Sequence, residues 1–231
     1  MALHTKRTIN ILSLCSGIGG LDLGVHAALR SLGFNPRTVC YVEGEAYAAS
    51  ILAKQMEEGE LDPAPIWSDI KTFPCELFSG RVDLVIGGYP CQPFSLAGRR
   101  EGKEDPRHLW PYVLRVLVET RATILFCENV RGHVSKGLGE VLGQVSCFGF
   151  DAEWDCYTAE EEGAPHRRER LFFLAHANSD AIREQQRRSS WEGRKRSPIA
   201  RDNGKEEPLA HANSERESQP QRVVPSKRGW A

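Results

Sequence analysis

The chain has 231 residues, 40% of them hydrophobic and 26% charged, with a formal net charge of −1. This is enough chain for one well-buried domain with an appendage, and no apolar run approaches the roughly 20 residues that cross a bilayer. Seven cysteines, an odd number without a C-x-x-C pair, argue against a disulfide framework or a zinc knuckle, and MALHTKRTINILSL makes a poor signal peptide, so a cytoplasmic protein without a metal or a membrane partner is expected.

INILSL (9–14) reads as a short buried strand, and the glycine-rich turn CSGIGG leads from it into an amphipathic helix, LDLGVHAALRSLG. A second strand, TVCYV (38–42), precedes a helix at 45–56, and a short strand at 66–67 follows Pro63 and Pro65. VDLVIG (82–87) is a buried strand, and LWPYVLRVLVE (109–119) is a helix with Pro111 in its tolerant first turn. ATILFC (122–127) is a strand, 138–149 a helix, and 152–159 and 170–176 are strands. Buried β-runs alternating with amphipathic helices predict an α/β fold, a doubly wound and mostly parallel sheet covered on both faces.

The pattern stops near residue 176. Residues 176–231 hold 12 Lys/Arg against 8 Asp/Glu, leaving 18 and 23 of the chain's 30 and 31 for residues 1–175. The expected division is a catalytic domain over 1–176 and a polar, basic, loosely ordered tail over 177–231, either solvated or binding a polyanion.

Three features lie at successive strand ends. In the CSGIGG turn, Cys15, Ser16, Gly17, Gly19 and Gly20 let backbone approach a ligand. Glu43, about 20 residues on, can accept hydrogen bonds from ribose hydroxyls, and Asp69 from an adenine amino group. Either acid alone can equally be a helix cap; together they point to an adenosine-containing ligand.

In GGYPCQPFS, prolines 90 and 93 stiffen the segment around Cys91, which suits an aimed nucleophile as well as a structural thiol. ILFC runs into Glu128-Asn129-Val130, where a carboxylate beside the Cys91 strand can act as a general acid. In GAPHRRERLFFLA, Arg168 and Arg170 share one strand face and can hold a carboxylate, a phosphate or a base edge.

SLCSGIGGLDLG, YVEGEAYAA, SDI, GGYPCQPFS, ENV and GAPHRRERLFFLA, in that order over about residues 9–176, resemble the motifs of the C5-cytosine DNA methyltransferases. The resemblance implies a Rossmann-like methyltransferase fold and S-adenosylmethionine as the adenosine ligand, with Ile70 and Pro90 joining the cofactor contacts. It implies that Cys91 adds to C6 of a cytosine flipped out of double-stranded DNA and that Glu128 holds N3 and the exocyclic amine. Arg168 would bind the flipped base and Arg170 position the Cys91 segment. Residues 96–108 would form a loop over the DNA, with Arg99, Arg100 and Lys103 on phosphates and Gln92 and Ser95 as further contacts.

Four departures stand out. Cys15 replaces an aromatic, Gly44 a bulkier residue and His166 a glutamine, and the family's recognition region and C-terminal motifs are not found. A second chain supplying them is therefore one expectation, and a non-catalytic fragment that binds DNA or a partner is another. An RNA cytosine methyltransferase and a nicotinamide-dependent oxidoreductase using Glu43 are the remaining alternatives. The resemblance also implies a prokaryotic or phage source.

Overall fold

Seven strands form one sheet in the order β3-β2-β1-β4-β5-β7-β6 in a computed structural model that describes residues 6–90 and 109–180. In chain order the elements are β1 (Thr8–Leu14), α1 (Gly20–Ser31), β2 (Asn35–Val42), α2 (Ala46–Glu57), β3 (Ile66–Trp67), β4 (Leu84–Gly87), α3 (Trp110–Thr120), β5 (Ile124–Val130), α4 (Leu138–Cys147), β6 (Phe150–Thr158) and β7 (Glu169–Ala177). Strands β1 to β5 are mutually parallel, as the alternation of strands and helices predicts. The last two depart from it: β7 runs antiparallel to both β5 and β6. The reason is connectivity. No helix lies between β6 and β7, so the chain returns as a hairpin, and only a longer crossover makes a parallel neighbour.

The period of two along each strand sorts the core. Ile9 and Ile11 of β1 pack with Val25 of α1 and with Leu84 and Ile86 of β4. Leu12 and Leu14 face the other way, into the larger cluster that holds Val113 and Leu117 of α3 and Val141 and Val145 of α4. Tyr41 meets Leu52 of α2 on the α1 side. Ile11, Leu12 and Leu14 are 0% exposed, each burial stabilising by about 1.5–3 kcal/mol, so β1 is anchored on both faces.

The strand order reverses at β1 and β4: β1 leads outward to β2, and β4 lies on its other side. Crevices open outside the carboxyl ends of strands at such a switch point. Leu14 at the end of β1 pairs with Gly87 at the end of β4, so the turn after β1 and the segment before Cys91 leave the sheet side by side. A Cβ on Gly87 would stand 3.1 Å from the Leu14 carbonyl oxygen, which accounts for glycine there.

Gly19 carries a harder constraint. Its φ is +84°, and a Cβ would stand 2.7 Å from Leu61 Cδ1 and 3.2 Å from Leu52 Cδ2. Leu52 and Leu61 are themselves buried and cannot move aside. Gly19→Ala should lower stability by about 1–3 kcal/mol, read as a fall in the denaturant midpoint at unchanged slope.

No helix among the described residues is long and apolar enough to cross a membrane, and no group of three or more metal-ligating side chains occurs among them. The tail expected to be loosely ordered lies outside the described residues beyond Asp180.

Candidate active site

The turn after β1 is built on left-handed backbone. Cys15, Gly17 and Gly19 have φ of 49°, 56° and 84°. Two of the three are glycine, for which this region carries no steric cost. Two backbone donors tie the turn to the end of β2: Ser16 N–H donates to the Val42 carbonyl at 3.2 Å and Gly17 N–H to Glu43 Oε2 at 2.7 Å. The other Glu43 oxygen accepts from Glu45 N–H at 2.8 Å. The carboxylate is thereby held against the turn with lone pairs to spare. No atom lies within 4 Å of a Cβ placed on Gly17, Gly20 or Gly24, so backbone there faces open space.

Cys15 supplies an apolar wall. Burial first, and the Glu43 charge second, push its thiol up to about 12. Burial likewise raises Cys40 to about 11 and Cys75 to about 12, and it raises Cys127 and Cys156 as well. These five cysteines are held as thiols at neutral pH, which suits packing and not nucleophilic attack.

A cavity of about 670 Å³ opens from this turn. One wall is Cys15, Ser16, Gly17 and Gly20, continued along α1 by Gly24 and Ala28. The facing wall holds Gly88, Glu128, Arg168 and Arg170, with Phe126 and Phe172 behind them. Residues expected at the cofactor end and residues expected at the chemical end thus share one space. Phe126 and Phe172 lie parallel, with ring centroids 5.8 Å apart, and floor it.

Glu128 lies inside β5, not at its end, because pairing with β7 carries the strand on to Val130. Alternation then turns its side chain to the α1 face with Phe126, while Asn129 turns to the opposite face. On β7 the same rule puts Arg170 beside Phe172. Arg170 Nε donates to Glu128 Oε1 at 2.6 Å, and both side chains remain about a quarter exposed, at 25% and 29%. The antiparallel hairpin makes this pair, since β7 sits next to β5. A Cβ on Gly88 would stand 3.4 Å from Glu128 Oε2, so the carboxylate abuts the backbone three residues before Cys91. Arg168 precedes β7, is exposed, and makes no side-chain ion pair among the described residues.

Other expected contacts fall elsewhere. Glu43 meets the cavity only through Gly17, and Gly19 packs on Leu52 and Leu61. Asp69 caps a 3-10 turn, accepting from Lys71 N–H at 2.9 Å. Ile70 is 4% exposed within the α3-side core, and its carbonyl accepts from Arg115 Nη2 at 2.8 Å. Pro90 is exposed and ends the first described segment. Gly44 is explained by Ser68, whose carbonyl oxygen would stand 3.1 Å from a Cβ there. His166 is exposed in the β6–β7 connection. Cys91, Gln92, Ser95, Arg99, Arg100 and Lys103 lie outside the described residues.

Sequence reading missed a group behind the site. Asn129 Nδ2 donates to the Tyr89 carbonyl at 3.0 Å, and the Tyr89 hydroxyl bonds His133 Nε2 at 3.0 Å. All three residues are buried. Asn129 beside Glu128 in ENV was the only local signal; the tyrosine and histidine carried none.

With this geometry in place, likeness to known proteins is informative. A family model described as C-5 cytosine-specific DNA methylase matches residues 9–226. The chain belongs to that family. Type II methyltransferase M.NgoMIV of Neisseria gonorrhoeae is 32% identical over 171 residues, a match covering 72% of this chain and 51% of that protein. Type II methyltransferase M.AquIA of Picosynechococcus sp. is 32% identical over 180 residues, covering 71% and 70%. Among solved structures, the S. pombe Dnmt2 methyltransferase superposes with a TM-score of 0.58 at 25% identity, covering 74% of this chain and 51% of that one. The chain thus spans about half the length of M.NgoMIV and of that solved structure, and more of M.AquIA. As a C-5 cytosine methylase family member it has the expected Rossmann-like sheet, closed by the β6–β7 hairpin.

Proposed function

We propose that the chain is the catalytic part of a DNA cytosine-5 methyltransferase that moves a methyl group from S-adenosylmethionine to C5 of a flipped-out cytosine. The single observation that carries this reading is the Glu128–Arg170 pair sharing one cavity with the glycine turn after β1. The cofactor fits the residues present: open space over Gly17 and Gly20 admits it, Glu43 offers lone pairs to ribose hydroxyls, and Cys15 is an apolar neighbour. When bound, it supplies an electrophilic methyl group on a sulfonium.

The chain's own residues do the remaining work. The Cys91 thiolate forms a bond to C6, and the C5–C6 π electrons shift toward C5. Glu128 holds N3 and the exocyclic amine, placing a proton where negative charge develops on the ring. C5, made nucleophilic in this way, would receive the methyl group that the bound cofactor supplies, the sulfur keeping the bond's electron pair. A base then removes the C5 proton, the C5–C6 double bond re-forms, and the Cys91 thiolate leaves. Arg170 fixes the orientation of Glu128, and Arg168, whose side chain makes no ion pair among the described residues, holds the flipped base from the cavity wall. Asp69 is a cap on present geometry; an adenine amino group would use its second oxygen. Arg99, Arg100 and Lys103 meet DNA phosphates in this reading, with Gln92 and Ser95 as further contacts.

The test is mass spectrometry after mixing the protein with S-adenosylmethionine and duplex DNA containing 5-fluorocytosine. It is run on the chain alone and co-expressed with its neighbouring reading frame. The fluorine cannot leave as a proton, so the reaction stops with a covalent link at residue 91. No link in either preparation, or a link formed only with RNA, overturns the reading.

A further inference from the structure

Two aromatic residues flank the segment that carries Cys91. Tyr89 stands two residues before it, and Trp110 opens α3 immediately after the described chain resumes at Leu109. Their rings lie 5.3 Å apart between centroids, and both residues are 4% exposed. The two stems are therefore packed on each other. Trp110 is anchored in turn: its Nε1 donates to Gln144 Oε1 of α4 at 2.7 Å, and its ring meets Phe173 of β7 edge-on at 6.1 Å.

This packed pair is bonded to the segment following Glu128. His133 lies in a 3-10 turn at Arg131–His133, directly after β5. Its Nε2 bonds the Tyr89 hydroxyl at 3.0 Å, and the two rings meet at 82° with centroids 5.8 Å apart. From the strand itself Asn129 holds the Tyr89 carbonyl. The residue two positions before Cys91 is thus held at its backbone by the strand that presents Glu128 and at its side-chain tip by the turn that follows that strand. Apolar packing alone is non-directional, whereas a hydrogen bond selects one position. The Tyr89 hydroxyl and His133 Nε2 satisfy each other, while His133 Nδ1 is buried without a partner among the described residues, a cost that an apolar pair of the same size would avoid.

We propose that Tyr89 and His133 are a positioning pair that sets the backbone before Cys91 in register with Glu128. The proposal rests on the reading of Cys91 as nucleophile. Neither residue touches substrate; the pair acts through the placement of the sulfur. Burial lowers the His133 pKa from its ordinary value, so the ring is neutral near pH 7 and the bond carries no ionic component.

Four variants test it: Tyr89→Phe, His133→Leu, the double variant, and His133→Gln, whose amide nitrogen reaches where Nε2 stood. The readouts are the rate of 5-fluorocytosine adduct formation, cofactor affinity and the thermal midpoint. Tyr89→Phe and His133→Leu should each slow the adduct about 10- to 100-fold with cofactor affinity unchanged. His133→Gln should recover most of the rate. The double variant, which removes both partners of the bond together with the buried Nδ1, should regain at least the wild-type midpoint while its rate stays low. A double variant at wild-type rate shows a merely structural pair and overturns the proposal, as does Tyr89→Phe at wild-type rate. Absence of adduct in the wild-type protein sinks the Cys91 reading instead, and this inference with it.

Discussion

Glu128→Gln should cut methyl transfer about 10³-fold while leaving S-adenosylmethionine affinity within about twofold. Glutamine keeps the length of the side chain and can still accept one bond from Arg170 Nε, so the geometry of the 2.6 Å contact has a substitute. It cannot carry a proton that is given to N3 as charge develops. The loss should therefore appear in the chemical step and not in binding. Partial exposure matters here: at 29% the carboxylate is reachable by a base entering the cavity, yet it is fixed by Arg170 and by the Gly88 backbone. Single-turnover transfer of labelled methyl groups to DNA checks the rate, and calorimetric titration checks affinity. A variant within tenfold of wild type would remove Glu128 from the chemistry and leave the ion pair as a strut between β5 and β7.

The second large effect concerns Asp22. This residue of α1 is 0% exposed, accepts from Ser13 Oγ at 2.9 Å through one oxygen, and has its other oxygen buried without a partner. Burial is the main cause that raises its carboxyl from 3.8 to about 7, outweighing the hydrogen bonds that oppose it. A raised folded-state value means that the native chain holds the proton more tightly than the unfolded one. Stability is then complete below about pH 4 and is lost as pH rises toward 7 and beyond, by up to about 4 kcal/mol. Asp22→Asn keeps an acceptor for Ser13 and has no charge to desolvate. It should be more stable than wild type at pH 8, and the gap should narrow as pH falls and close at about pH 4. Denaturant midpoints across that range measure it. Parallel curves for the two proteins would show that Asp22 stays ionised and paired. Ser13 lines the cavity, so loosening between β1 and α1 at high pH reaches the cofactor end as well.

What was legible in the sequence follows from what is local. Apolar runs bounded by turn residues marked the longer strands, because burial is written in a strand's own residues. Helical periodicity marked α1 to α4 for the same reason. Glycines 17 and 19 announced a turn open to a ligand, and Glu43 an acid one strand further on; the structure makes that turn left-handed and joins it to Glu43 through one hydrogen bond of 2.7 Å. Motif order was enough to reach the family. Boundaries were less legible. Strand β5 extends past Cys127 because β7 pairs with it, and a partner 40 residues away in Val130↔Arg170 leaves no mark on the strand itself.

The remainder was decided by tertiary structure, for a common physical reason: it depends on which strands become neighbours. Insertion of β7 between β5 and β6 brings Arg170 to Glu128, and nothing in either motif fixes that distance. The same pleat sends Asn129 to the other face, where it finds Tyr89. His133 and Asp22 read as ordinary polar residues on turn and helix, and only burial by distant segments shifts their proton affinities. Side-chain chemistry and face were thus set along the chain, while pairing and desolvation were set by the long-range contacts that closed the sheet.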